Sequence, residues 1–286
     1  MSRYFNATSK ADKWTDSLSS KLDIHELLSP VAGGKEAVEE LEKPRELPNR
    51  KLILPVPSDI PLLTRQDDRL GQLAESYRTL RTRIIREQSS LGIHSIVLSS
   101  ALPGEGKTLT TVNLGLCCTQ VANFTVLVVD ADFRTRGLSK LLDCPNGPGL
   151  SEALAGEACF DDIVLSTNYQ NFSVVASGGA TASPAELFAT PKWKEFITWA
   201  TESFSLVLVD SPPILPVTDY ELISAVCDGT VFVIRGGATS REMIRRAATQ
   251  VASGKLLGSV FNMSQARGHG DYRGYAGAAL IRKEAV

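Results

Sequence analysis

The sequence predicts an α/β fold, in which a mostly parallel β-sheet is covered by helices on both faces. Apolar residues make up 43% of the 286 residues, which is enough for a packed core. Between about residues 68 and 263, short runs of Val, Ile and Leu alternate with amphipathic stretches. Continuous apolar strands separated by helices are typical of parallel sheets that are buried on both sides.

The predicted elements follow in a regular order. A helix is expected from Asp68, because apolar residues recur there at steps of three and four: Leu70, Leu73, Tyr77, Leu80 and Ile84. The expected strands are Ser95 to Leu98, Thr125 to Asp130, Phe172 to Ala176, Leu206 to Asp210, Thr230 to Ile234 and Leu256 to Phe261. The expected helices between them are Gly106 to about Val121, Pro191 to Phe204, Asp219 to Val226 and Ser240 to Ala252.

The two ends of the chain differ from this pattern. Residues 1–66 hold ten basic and ten acidic side chains and six prolines, so we expect an extended or disordered tether. Short helices are expected within it near Leu18 to Leu28 and near Lys35 to Glu42. Residues 67–263 form the predicted folded domain. Residues 264–286 are rich in Gly and are expected to be a flexible tail.

Charge and composition exclude several classes of function. Thirty Lys and Arg against 32 Asp and Glu give a net charge of −2, which argues against a nucleic-acid binder. The apolar runs are far shorter than the ~20 residues of a membrane-spanning helix, and the N-terminus lacks the apolar stretch of a secretion signal. Five cysteines without a C-x-x-C pair suit a reducing compartment. A cytoplasmic location is therefore expected.

The most informative stretch is Ser-Ile-Val-Leu-Ser-Ser-Ala-Leu-Pro-Gly-Glu-Gly-Lys-Thr-Leu-Thr-Thr, residues 95–111. A buried strand leads through a turn into a helix, so that backbone N–H groups and a helix N-terminus surround one point and favour a phosphate. Lys107 is expected to reach the β- and γ-phosphates and the Thr108 hydroxyl to ligate Mg²⁺. Ala101 stands where the strict motif has glycine, whereas Gly104 and Gly106 remain. We therefore predict nucleotide binding by residues of this loop: Gly104, Glu105, Gly106, Lys107, Thr108 and Leu109.

Two further strands end in carboxylates. The stretches are Val126-Leu-Val-Val-Asp130-Ala-Asp132-Phe-Arg134 and Leu206-Val-Leu-Val-Asp210-Ser-Pro-Pro213. Ligands bind open α/β sheets at the carboxyl edge, where such strands end. A lone Asp after a strand usually caps a helix, but the phosphate loop favours roles in metal binding and proton abstraction.

Together, the loop of residues 100–108, the Asp130-Ala-Asp132-Phe-Arg134 stretch and Asp210-Ser-Pro-Pro213 resemble the motifs of bacterial tyrosine kinases, P-loop autokinases that control capsular and exopolysaccharide export. The resemblance covers about residues 68–275. It implies a P-loop NTPase fold of the MinD/ParA-like type, residues 67–263 as the kinase domain, and ATP and Mg²⁺ as cofactors. MinD/ParA-like ATPases have a second lysine in the loop, where this chain has Leu102.

The resemblance also implies roles for single residues. Lys107 serves the phosphates, and Asp130 resembles the base that takes the proton of the tyrosine hydroxyl. Thr108, Asp132 and Asp210 are the implied metal set. Asn262 matches a position that presents an amide to adenine, although an asparagine at a strand end equally fits a turn.

Three charges on the first helix, Glu75, Arg78 and Arg81, match the E-x-x-R-x-x-R pattern of the same family. They occupy an arc of ~120° beside the apolar stripe. A solvated helix face with i,i+3 pairing is the alternative that spacing alone favours. The resemblance implies that this helix joins subunits into a homo-oligomeric ring.

The tail carries two tyrosines, Tyr272 and Tyr275, which the resemblance implies are phosphate acceptors. The family usually has a denser tyrosine cluster, and an inert tail is the alternative.

The expected function is an ATP-dependent tyrosine autokinase, activated by a membrane-embedded polysaccharide chain-length determinant that recruits it to the inner face of the membrane. A cognate tyrosine phosphatase is a further partner that the resemblance allows. The competing function is a MinD/ParA-like ATPase switch without tyrosine chemistry.

Overall fold

A computed structural model of the chain describes residues 53–57, 68–181 and 183–263, with backbone only for residues 68–73. The predicted helices near residues 18–28 and 35–42, and the tail with Tyr272 and Tyr275, lie outside the described residues. No helix within the described ranges is long and apolar enough to cross a membrane.

The described chain forms one eight-stranded sheet with helices on both faces. In chain order the strands are β1 (Ile53–Leu54), β2 (Ser95–Ser100), β3 (Val126–Asp130), β4 (Val164–Thr167), β5 (Phe172–Val175), β6 (Leu206–Asp210), β7 (Gly229–Arg235) and β8 (Leu256–Asn262). The helices are α1 (Asp68–Leu91), α2 (Lys107–Cys118), α3 (Gly137–Leu141), α4 (Leu150–Ala155), α5 (Pro184–Phe188), α6 (Pro191–Ser203), α7 (Asp219–Ala225) and α8 (Arg241–Ala248).

The strand order across the sheet is β1-β4-β5-β3-β6-β2-β7-β8. All neighbouring strands are parallel except β4 and β5, which are antiparallel. The α/β class with a mostly parallel sheet is therefore confirmed. All six predicted strands and the five helices predicted between residues 68 and 252 are present, with ends that differ by up to a few residues.

Alternate side chains of the strands belong to two separate cores. On β3, Val126 and Val128 belong to the core that includes Leu80 of α1 and Leu114 of α2. Leu127 and Val129 belong to the other core, which includes Trp193 and other residues of α4 to α8. Because successive side chains of a strand point to opposite faces, the sheet is the middle of three layers.

Several short elements were not predicted, namely β1, β4 and the helices α3, α4 and α5. Each has at most six residues, too few to show a period in the sequence. Strand β1 lies in the segment predicted to be a tether. It pairs with β4 through Ile53 and Leu54, and Leu54 and Val56 are buried. Residues 53–57 are thus part of the folded sheet.

The edge strand β1 leads to a test of this packing. Leu54→Ala should lower the free energy of unfolding by about 2–3 kcal/mol, because it deletes a side chain that is 3% exposed. Ile53→Ala is the matched control, since the neighbouring Ile53 is 62% exposed and its loss should change stability by no more than about 0.5 kcal/mol. Urea unfolding measures both. Equal effects would mean that residues 53–57 do not pack on the sheet.

Candidate functional site

The loop between β2 and α2 wraps around the N-terminus of α2. Gly104 and Gly106 have φ angles of +78° and +90°, which glycine adopts without strain. Gly106 is the N-cap of α2 and, having no side chain, gives no side-chain cap to the helix. The first N–H groups of α2 therefore stay available to an anion that approaches along the helix axis.

Glu105 holds this loop in place with its side chain. The residue is 2% exposed, and its carboxylate accepts a hydrogen bond from the Leu102 N–H at 2.9 Å and another from the Thr239 hydroxyl. Leu109, also predicted to contact the nucleotide, packs against the core at the partly buried start of α2. The side chains of Glu105 and Leu109 thus support the loop, and their backbone is what they can offer to a ligand.

Asn262, at the end of β8, also contacts the loop. Its Nδ2 donates to the carbonyl oxygen of Glu105 at 2.9 Å, and its Oδ1 accepts from the N–H of Met263 at 2.9 Å. The sequence left open an adenine contact or a strand-end turn. In the structure, the side-chain amide lies directly beside Gly106.

The predicted carboxylates meet at one edge of the sheet because β6 lies between β2 and β3. Asp130 and Asp210 are direct register partners on β3 and β6. The Thr108 hydroxyl donates to Asp210 Oδ2 at 2.7 Å, whereas Asp210 Oδ1 is buried with no hydrogen-bond partner among the described residues. An unpartnered carboxylate oxygen next to a hydroxyl provides the hard oxygen ligands that Mg²⁺ prefers.

Asp132 faces the lysine of the loop. Lys107 Nζ lies 3.5 Å from Asp132 Oδ2, and the Lys107 side chain is 11% exposed. Asp132 also accepts from the N–H and the hydroxyl of Thr135, at 3.0 Å and 2.7 Å. The lysine that the motif assigns to phosphates is therefore already held at the carboxylates by an ion pair.

Burial changes the acidity of two of these carboxyls. It raises the pKa of Asp130 to about 6, against the opposing effect of hydrogen bonds from Ser139 and Asp132. It raises the pKa of Asp210 to about 7, against the opposing attraction of Lys107, while the nearby Asp130 adds to the rise. Groups with a pKa near neutral pH can exchange protons under physiological conditions.

Within the described ranges, no three His, Cys, Asp or Glu side chains are grouped as a complete metal site. The predicted magnesium set consists of two carboxylates and a hydroxyl, Asp132, Asp210 and Thr108. Mg²⁺ usually takes one or two carboxylates and completes its shell with phosphate oxygens and water. The residues present fit that pattern.

Sequence reasoning missed several residues of the site. Ser139 donates to Asp130 with both its N–H and its hydroxyl, and Ser177 contacts Ser139. Arg134 ends the Asp130-Ala-Asp132-Phe-Arg134 stretch, and no role was predicted for it. It makes two hydrogen bonds, of 2.8 Å and 3.0 Å, to the buried Asp219 at the start of α7. Arg134 could have been singled out by its place in the motif, whereas Ser177 has no local signal.

The predicted oligomerisation residues lie on α1 in two different settings. Glu75 and Arg78 form an i,i+3 ion pair of 2.8 Å, and their side chains are 59% and 43% exposed. Arg81 instead reaches the end of α2, where its Nη1 donates to the Cys117 carbonyl at 3.3 Å. Within one chain, Glu75 and Arg78 form the i,i+3 pair of an exposed helix face, whereas Arg81 is bonded to α2.

The amino-acid sequence is similar to those of named bacterial proteins. The chain is 34% identical over 206 residues to "Tyrosine-protein kinase YwqD" of Bacillus subtilis (strain 168), which covers 71% of this chain and 86% of the relative. It is 31% identical over 214 residues to "Tyrosine-protein kinase CpsD" of Streptococcus agalactiae, with 73% and 92% covered. No protein-family model matches the chain.

A solved structure also has the same fold as this chain. The kinase domain of the Escherichia coli tyrosine kinase ETK superposes with a TM-score of 0.63 at 26% sequence identity, covering 71% of this chain and 80% of that chain. The P-loop fold predicted from the motifs and their resemblance to this group of proteins are both confirmed.

The close approach of Asn262 to the loop gives a test of its geometry. A Cβ at Gly106 would overlap the Asn262 amide, whereas one at Gly104 would meet open space, and both glycines have positive φ. Gly106→Ala should therefore lower the free energy of unfolding by about 2–3 kcal/mol and Gly104→Ala by about 1 kcal/mol. Adding Asn262→Ala should recover part of the loss in Gly106→Ala only. Equal losses in the two glycine variants would contradict this geometry.

Proposed function

This chain belongs to the bacterial tyrosine-protein kinases. On that basis we propose that it is an ATP-dependent autokinase that phosphorylates its own tail tyrosines in trans. Through this phosphorylation it regulates the synthesis and export of a capsule or exopolysaccharide. The observation that carries the proposal is the meeting of Lys107, Thr108 and three carboxylates at the ends of neighbouring strands. This arrangement supports a phosphoryl-transfer site built from the residues of one chain.

We assign the roles from the chemistry of each group. Lys107 neutralises charge on the β- and γ-phosphates, and the N-terminus of α2 holds them through backbone N–H groups. Thr108, Asp132 and Asp210 hold Mg²⁺, which supplies charge neutralisation on the phosphates when bound. Gly104 to Leu109 line the phosphates, and Asn262 stands near the adenine.

Asp130 is the proposed acceptor of the tyrosine proton. Its pKa of about 6 leaves it mostly ionised at neutral pH and close enough to neutral for proton transfer. Phosphoryl transfer passes through a loose transition state in most analyses, so a strong base is not needed and positioning is the larger contribution. A moderately basic carboxylate that is held firmly suits this demand.

The proposed activator is a membrane-embedded polysaccharide chain-length determinant, which brings the protein from the cytoplasm to the inner face of the membrane. A cognate tyrosine phosphatase would reverse the modification. Each phosphate adds roughly −1.5 to −2 charges at neutral pH. Residues 267–286 carry four basic and two acidic side chains, so phosphorylation makes the tail net negative and changes what it can bind.

The exposed charges of α1 are proposed to join subunits into a ring. The Glu75–Arg78 ion pair lies on the surface, where such a pair contributes little to the stability of one chain. These charges can therefore change partners at a subunit boundary at small cost.

Transfer in trans can be tested by mixing two chains. A Lys107→Ala chain keeps its tail but should lose phosphoryl transfer, and a Tyr272→Phe/Tyr275→Phe chain keeps its site but lacks the acceptors. Mixed with ATP and Mg²⁺, the Lys107→Ala chain should gain about 80 Da per phosphate by intact mass. The distance from Asn262 to Tyr275 allows a reach of roughly 40 Å when extended, since each residue spans ~3.3–3.6 Å.

Each chain alone is the control for that mixture, and neither should acquire phosphate on tail tyrosines. If the Lys107→Ala chain stays unlabelled while its partner consumes ATP, the tail is not the acceptor. The MinD/ParA-like ATPase switch then becomes the better description of the protein.

Assembly can be tested on α1. Replacing Glu75, Arg78 and Arg81 together by Ala should leave monomers in light scattering, because the charges specify the neighbour. Arg81 also contacts α2, so a Glu75→Ala/Arg78→Ala variant separates assembly from stability.

The matched control for this test is Lys192→Ala/Glu195→Ala, which removes an exposed i,i+3 pair of 2.7 Å on α6. This variant should assemble like the unmodified protein. If the oligomer mass is unchanged in both α1 variants, these charges do not join subunits and only form a solvated helix face.

A further inference from the structure

A chain of hydrogen bonds runs from the partly exposed Arg136 to the buried Asp130. Arg136 Nε donates to Ser177 Oγ at 3.0 Å, and the two serine oxygens, Ser177 Oγ and Ser139 Oγ, are 3.2 Å apart. Ser139 Oγ donates to Asp130 Oδ2 at 2.7 Å, and the Ser139 N–H reaches the same oxygen at 2.8 Å. Ser139 and Ser177 are 6% and 0% exposed, so water does not compete for these bonds.

In this series of hydrogen bonds, the available donors and acceptors determine where each serine hydroxyl proton points. An ionised carboxylate only accepts, so the single hydroxyl proton of Ser139 points to Asp130. The remaining capacity of Ser139 Oγ is filled by the N–H of Ser177 at 2.9 Å and by the Ser177 hydroxyl. The guanidinium of Arg136 only donates, so Ser177 must accept from it and donate onward. The carboxylate thereby fixes the Ser139 hydroxyl, and the arginine fixes the Ser177 hydroxyl.

Asp130 is left with two unequal oxygens. Oδ2 receives two short hydrogen bonds from Ser139, whereas Oδ1 receives one of 3.2 Å, from the N–H of Asp132. Oδ1 is thus the oxygen with spare acceptor capacity. A carboxylate clamped on one side in this way presents the other oxygen in a fixed direction.

We propose that Ser139 is a positioning residue for Asp130 in tyrosine phosphorylation, and that Arg136 supports it through Ser177, whose hydroxyl and N–H hold Ser139 Oγ in place. The proposal rests on the proposed function, because it concerns the carboxylate that the proposed function makes the acceptor of the tyrosine proton. It connects three places in the fold: the end of β3, the start and middle of α3, and the residues after β5.

The backbone of Arg136 supports this reading over a purely structural one. Arg136 has a φ of +53°, a left-handed conformation that costs a residue with a Cβ and that glycine adopts freely. A sequence chosen for stability alone would favour glycine at this position. What arginine adds there is its side chain, and the hydrogen bond to Ser177 is the use that the structure shows for it.

The test compares the rate of tyrosine phosphorylation at saturating ATP, the KM for ATP and the stability to urea in the full-length protein. Ser139→Ala should slow transfer about tenfold to a hundredfold, as expected when a catalytic group is misplaced. The KM for ATP should change by less than about threefold, and Ser139→Thr should recover part of the rate. Arg136→Gly should also slow transfer while leaving stability equal or higher, because it removes the backbone strain.

The two serines should act as one unit. The Ser139→Ala/Ser177→Ala double variant should be no slower than Ser139→Ala alone. The reason is that the Ser177 hydroxyl affects Asp130 only through its hydrogen bond to Ser139 Oγ, which Ser139→Ala has already removed. Tyr220→Phe is the matched control, since it deletes another buried hydroxyl, bonded at 2.9 Å to Thr230, and should leave the rate unchanged.

Two outcomes would overturn the inference. One is an Arg136→Gly protein that transfers phosphate at the unmodified rate. The other is serine variants whose effects multiply or act only on the KM for ATP. An unmodified protein that binds ATP and labels no tyrosine contradicts the proposed function itself, and this result is distinct because it does not depend on any substitution.

Discussion

The site depends on one feature of the sheet, the position of β6 between β2 and β3. In parallel strands the carboxyl ends lie at the same edge, so this order brings the phosphate loop and both carboxylate stretches together. Asp130 and Asp210 become direct neighbours, and Thr108 at the start of α2 reaches Asp210 at 2.7 Å. A different strand order would leave the same motifs intact in the sequence and separate them in space.

This closeness has a cost for the folded protein. Asp130, Asp132 and Asp210 are at most 1% exposed, and burial raises the pKa of Asp130 and of Asp210. Charged groups out of water are unfavourable unless they are paired. The ion pair between Lys107 and Asp132 is long, with 3.5 Å between Nζ and Oδ2. The site is therefore poised to gain from cationic or hydrogen-bonding partners. Such preorganised charge is what a phosphoryl-transfer site requires.

Elements far from the phosphate loop in sequence hold the site in shape. Asn262 from β8 and Thr239 from the turn after β7 contact Glu105, and Arg134 ties the stretch after β3 to the start of α7. Glu105 and Asp219 are buried, and hydrogen bonds to buried groups are strong because leaving such a group unpaired is costly. The loop is thus supported from the side of β7 and β8, and the stretch after β3 is held by α7.

The sequence by itself determined the class of fold, six of the eight described strands, the phosphate loop and the carboxylates. These are local properties, because apolar runs of strand length and a loop between strand and helix can be read along the chain. The tertiary structure decided what these groups touch. Ser177 joins the site because β5 lies beside β3, and residues 53–57 join the sheet because Leu54 and Val56 find a core to pack on. Such contacts depend on the packing of distant segments, which leaves no periodic signal in the sequence.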